Sequence, residues 1–97
     1  MKLLYRPAAR EDLDSIFDFI APDSPDRALG FVEQIRTQCL ILRDFPDLGR
    51  ERTDLGPGIR LLPMFGRVVV AYRSLPDAVE VVRVFYGGRD YEALSFD

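Results

Sequence analysis

Residues 45–58, FPDLGRERTDLGPG, divide the chain into two halves with different periodicities, and that division constrains the fold more than any other feature. Two prolines, three glycines and charges of both signs predict a loop there. Before it, apolar residues recur at helical spacing. Leu13, Ile16, Phe17 and Ile20 form one stripe, and Ala28, Phe31 or Val32, Ile35, Cys39 and Leu42 form another. After it, short valine-rich runs alternate with turn residues: Ile59–Leu62, Val68–Arg73 and Val79–Phe85 read as strands, with turns at Pro63–Gly66 and Ser74–Asp77.

Prolines place the remaining boundaries. Leu3 to Tyr5 form a short opening strand, and Pro7 suits the first position of a helix, where a missing N–H costs nothing. That helix ends at Ala21-Pro22. Ser24-Pro25-Asp26 restarts it with a capping side chain, a first-turn proline and an acid at the positive helix end; the second helix reaches about Arg43. Two amphipathic helices with so short a link pack as an antiparallel hairpin. The expected order is β-α-α-β-β-β: a two-layer α+β domain with the hairpin on one face of an antiparallel sheet and the other face partly open. Residues 91–97 are expected to be a short tail with one helical turn at most.

The 97 residues form one domain, 1–97. The sequence shows no membrane span and no leader, so a cytoplasmic protein is expected. Cys39 is the single cysteine, placed among Leu40, Ile41 and Leu42, and reads as a buried apolar residue. There is no histidine, which removes the commonest neutral-pH general base and the usual zinc ligand. No metal or cofactor is expected. No phosphate-binding glycine motif or nucleophile elbow occurs. The acidic pairs Glu11-Asp12 and Asp12-Asp14 are read as a solvated face of the first helix.

Charge is unevenly spread. Residues 1–54 carry eleven acids and eight bases, whereas residues 59–89 carry five arginines against Asp77 and Glu80. The net charge of −3 argues against general attraction to nucleic acid and against sequence-specific nucleic-acid binding. A local strip of arginines still suits forked contacts with an acidic or anionic partner. By strict alternation, Arg67 and Arg73 share a face with Val69 and Ala71, while Arg83 shares one with Val79, Val81 and Phe85.

Three segments in order resemble the RelE/ParE toxin superfamily. YRPAAREDLDSIFDFI (5–20) contains P-x-A-x-x-D-L-x-x-I through Pro7, Ala9, Asp12, Leu13 and Ile16. FPDLGR (45–50) is similar to F-P-x-x-G-R, and VVVAYR with VEVVRVFYGGRD (68–73 and 79–90) is similar to the closing strands. The resemblance implies a toxin of a type II toxin–antitoxin pair, held inactive by a small cognate antitoxin. One branch cleaves messenger RNA on the ribosome, and the ParE-like branch poisons DNA gyrase without cutting.

Chemistry helps to choose between the branches. RNA cleavage needs a base, an acid and charge stabilisation. Here histidine is absent and Lys2 is the only lysine, so the expectation is a non-catalytic, ParE-like gyrase inhibitor. The expected target surface is Arg83, Tyr86, Arg89 and Asp90, with Arg60 and Arg73 second; the hairpin and a sheet edge are the expected antitoxin surfaces. Tyr86 stands where the family commonly has histidine. A ribosome-dependent endonuclease and a non-toxic antitoxin-binding protein are the alternatives.

Overall fold

The computed structural model describes residues 1–87. Its elements are β1 (Lys2–Tyr5), α1 (Pro7–Ile20), α2 (Pro25–Cys39) running into a 3₁₀ turn (Leu40–Arg43), β2 (Arg50–Glu51), β3 (Arg60–Met64), β4 (Val68–Ser74) and β5 (Ala78–Tyr86). The five strands form one sheet in the order β1-β5-β4-β3-β2. This is the expected α+β order, with the expected antiparallel pairing of β3, β4 and β5. The sheet is mixed, because β1 lies parallel to β5. The chain passes through the whole hairpin before β5 forms, so no tight turn forces β1 to run antiparallel.

The helix ends follow the residues predicted for them. Pro7 opens α1, and the Ala21 amide donates back to the Phe17 carbonyl at its close. Ser24 Oγ accepts from the Arg27 amide at 3.2 Å, and Asp26 sits in the first turn of α2. The expected last turn of α2 is present but tightens to 3₁₀ geometry. Leu13 and Ile16 of α1 and Ile35 and Cys39 of α2 pack on Val68, Val70, Val81 and Val84 of the sheet.

Two expectations need correction. The sheet face away from the helices is not bare: Ile59, Leu61, Ala71, Val82 and Phe85 form a second buried cluster there, with Leu55 and Val69 beside it. Part of this cover is the 52–58 loop, which brings Leu55 over the strands. The 45–58 segment is also not wholly irregular. Arg50 and Glu51 pair with Leu61 and Arg60, so the ladder hydrogen bonds of β3 override composition at two residues.

A β-bulge decides which way the arginines point. Ala71 is paired with Arg83 but Tyr72 with Val81, which leaves Val82 as the extra residue. Alternation therefore slips by one place. Val79 and Val81 face the helices, whereas Arg83 and Phe85 share the opposite side with Ala71. Strict parity would have put all four on one face. Arg60, paired with Tyr72, lies on the helix side, opposite to Arg73 and Arg83.

Candidate functional site

β1 stops at Tyr5, and the Arg6 amide makes the last bond to β5 at the Val81 carbonyl. Beyond that point the side of β5 turned away from β4 has no strand partner, and α1 lies across it. Asp12 of α1 fills the gap. Its carboxylate accepts from the Val84 amide at 2.8 Å and from Arg83 through Nε at 2.8 Å and Nη2 at 3.0 Å. Asp12 is only 9% exposed, so its reading as a solvated acid is overturned. A charged group that far from water has to be fully paired, and here a forked guanidinium and a backbone donor supply the pairing. The bond to Asp12 outweighs partial burial and raises the pKa of Arg83 further. The guanidinium also lies 5.3 Å from the Phe85 ring centre. A signal for Asp12 was present in the sequence: it falls on the same helical stripe as Ala9, Leu13 and Ile16.

Tyr86 points the other way. Its ring meets Phe19 of α1 and Phe31 of α2 edge-on, with centroids 5.8 Å apart in each case. Phe31 in turn lies 5.9 Å from Phe65. Phe65 sits in the β3–β4 turn with φ 57°, a left-handed conformation rarely adopted by an aromatic residue. The result is a row of four aromatic rings running from the end of α1 by way of β5 and α2 to the β3–β4 turn, and Phe19 is 72% exposed. A groove of about 530 Å³ beside the row is lined by Asp12, Phe19, Arg67, Val84 and Tyr86, among others.

The F-P-x-x-G-R segment forms a locked loop at the opposite end of the sheet. Tyr72 Oη, buried between the loop and β4, donates to the Pro46 carbonyl at 2.8 Å and accepts from the Gly49 amide at 2.7 Å. Burial raises the pKa of this hydroxyl. Arg60 donates to the carbonyls of Gly49 at 2.8 Å and Asp47 at 3.3 Å, and reaches Glu51 at 3.5 Å. Gly49 has to be glycine for space: a Cβ there would stand 2.7 Å from the Tyr72 ring and 2.9 Å from the Leu61 carbonyl. Arg73 pairs across the strands with Glu80 at 3.1 Å.

Of the six residues expected on the target surface, the four that are described are thus not gathered into one cluster. Arg83 and Arg73 are on the face away from the helices, each engaged by a carboxylate, and Arg60 braces the loop. Tyr86 belongs to the aromatic row on the helix side. Arg89 and Asp90, like the tail from 91 to 97, lie outside the described residues. Cys39 is fully buried, as expected, and burial raises the pKa of its thiol. Among the described residues no group of histidine, cysteine or acidic side chains is placed to hold a metal ion. No helix among them is long and apolar enough to cross a membrane.

A helical hairpin packed on a sheet, with Asp12 of P-x-A-x-x-D-L tied to the last strand and F-P-x-x-G-R forming a lock, agrees with the resemblance to toxins of type II toxin–antitoxin systems. Residues 3–91 match the family model described as the ParE toxin of the type II toxin–antitoxin system parDE, and the chain belongs to that family. A solved structure of the chromosomal ParDE system from P. aeruginosa is similar, with a TM-score of 0.76 and 26% identity. The match covers 90% of this chain and 96% of that one. No curated protein sequence matches the chain.

Proposed function

We propose that this ParE-family toxin acts in the cytoplasm by binding and inhibiting DNA gyrase, and that a cognate antitoxin neutralises it. The observation that carries the choice of binding over cutting is the separation of its polar groups. A ribonuclease needs proton-transfer and charge-stabilising groups converging on one phosphate. Here the Arg83 and Arg73 guanidiniums are engaged by Asp12 and Glu80, and Tyr86 is turned to the other side of the sheet.

The target surface in this reading is the C-terminal end of β5: Tyr86 and the aromatic row on the helix side, Arg83 on the opposite side where Asp12 holds it, and Arg89 and Asp90 following in sequence. Arg60 and Arg73 take scaffolding roles in this reading. Aromatic side chains in a rigid row supply binding energy at small entropic cost, which suits an inhibitor that works by occupancy.

A gyrase supercoiling assay with the purified toxin tests the proposal. The expected result is loss of supercoiling with accumulation of gyrase–DNA cleavage complexes, reversal by the antitoxin, and at least about a tenfold loss of potency in Tyr86→Ala. Codon-phased breaks in message on translating ribosomes would overturn it in favour of a nuclease. Normal growth during high expression without antitoxin would overturn the poison reading altogether.

A further inference from the structure

Two residues of this chain go against the preferences of the elements that hold them, and both line one groove. Gly30 is in the interior of α2, where glycine costs more backbone entropy than a residue with a side chain. Packing does not require it: a Cβ at Gly30 would have no atom within 4 Å. Phe65 and Gly66 both have positive φ, 57° and 70°, a pair for which tight hairpin turns prefer Asn-Gly. A bulky side chain in that conformation is strained, yet Phe65 meets the Phe31 ring at a tilt and is still 46% exposed. The groove that the two residues share has a volume of about 560 Å³ and is also walled by Phe19, Phe31 and Tyr86. Arg27 of α2 and Arg67 beside the turn line it as well. Neither guanidinium has an ion-pair or hydrogen-bond partner among the described residues. Among those residues, Asp23 is the one carboxylate on the lining.

We propose that this groove, on the α2 side of the aromatic row, receives one large apolar side chain of gyrase that lies next to a carboxylate. The proposal rests on the gyrase-inhibitor reading above and names the chemistry of what the toxin grips. Departures from local preference are kept where function needs them, and here two of them meet across one space. A side chain at position 30 would project into the groove, and glycine leaves that space clear. The strain at Phe65 holds a ring at the rim, where a residue suited to the turn would supply none. Aromatic walls around a cleared floor fit an apolar anchor. Two unpaired arginines on different elements, against one aspartate, fit an acid beside that anchor. Nucleic acid is disfavoured, since two cations and an acid in a chain of net charge −3 offer little to a phosphate backbone.

The test measures the affinity of the toxin for gyrase by surface plasmon resonance, beside the thermal midpoint of each variant. Gly30→Gln fills the floor with a good helix former, and should raise the midpoint by about 3 °C while weakening binding about tenfold. Phe65→Asn gives up the ring and relieves the strain. Its midpoint should stay within about 2 °C of the wild type, and binding should again fall about tenfold. A ring kept only for the fold would lower the midpoint on removal. Arg27→Glu combined with Arg67→Glu should weaken binding about tenfold, because attraction becomes repulsion. Wild-type affinity in Gly30→Gln and Phe65→Asn would overturn the proposal, and so would a Phe65→Asn midpoint lowered by more than about 5 °C. Tighter binding by the double glutamate variant would overturn it too, since the occupant would then be cationic. Self-association of the wild type, or a mobility shift of an oligonucleotide, that Gly30→Gln abolishes would do the same by assigning the groove to another occupant. A supercoiling assay separates the two readings. Gyrase inhibited equally by the wild type and both groove variants sinks the groove and leaves the inhibitor reading standing. Gyrase neither bound nor inhibited by the wild type sinks the inhibitor reading, and the proposed occupant with it.

Discussion

Two stretches of sheet edge lie next to each other in this protein, and they are finished in opposite ways. Where β1 has ended, the side of β5 is closed by α1 and by Asp12, which satisfies the Val84 amide and holds Arg83 in a fork. The outer edge of β1, a few residues away, carries Lys2, Arg36 and Arg43 without a covering acid. Cations of the two edges differ only in their surroundings. Next to a buried carboxylate, Arg83 is fixed in one orientation; lining an open groove, the other three have no carboxylate beside them in that groove. A charge removed from water has to be paired completely, whereas a solvated charge beside unused backbone groups costs little and keeps its affinity for an incoming strand.

The largest effect should come from opening the closed edge. Asp12→Ala leaves Arg83 and the Val84 amide without their partner and should cost about 3 kcal/mol of stability, read by urea unfolding. A loss under about 1 kcal/mol would mean that Asp12 is no more structural than a surface acid. At the far edge, Gly49→Ala drives a Cβ into the Tyr72 ring and the Leu61 carbonyl, and should destabilise by about 2 kcal/mol. Loosening of the 45–50 loop should accompany it, seen as faster exchange of the Gly49-position amide.

The buried acids beside these edges set the alkaline limit. Burial raises the pKa of Cys39 above its ordinary 9.0 and those of Tyr5 and Tyr72 above 10.0. The folded protein therefore keeps its protons while the unfolded chain loses them. Stability is fully present below about pH 9 and should decline as pH rises past 9 and then 10. Tyr5 Oη is buried with only the Cys39 thiol interacting with it, so Tyr5→Phe should flatten the decline with little loss of stability at pH 7. Tyr72→Phe should flatten it too, but lose about 1 kcal/mol at pH 7 with the Gly49 and Pro46 bonds. The smallest effect belongs to the open edge: Lys2→Glu should change stability by less than about 0.5 kcal/mol while changing partner binding.

Much of the fold was legible because its signals are local. Pro7, Pro22 and Ser24-Pro25 fixed the helix ends, and two periodicities separated the layers. The site was less legible. Arg83 was recognisable as an arginine on the last strand, but its direction depended on the bulge at Val82, and no residue pattern in VEVVRVFY announces one. Asp12 sat in the P-x-A-x-x-D-L signal and on the apolar stripe of α1, and its acidic neighbours masked it. Gly49 and Tyr72 are 23 positions apart and meet only through the β2–β3–β4 ladder.

By itself, then, the sequence determined the order of elements, the α+β class, the absence of histidine chemistry and the presence of a family signal in three segments. These follow from backbone preferences and periodic burial, which act over a few residues. Tertiary structure decided which charges serve the scaffold and which remain for a partner. That outcome depends on where β1 stops, on one extra residue in β5 and on which carboxylate comes within 3 Å, and distances of that kind exist only once the chain has closed on itself.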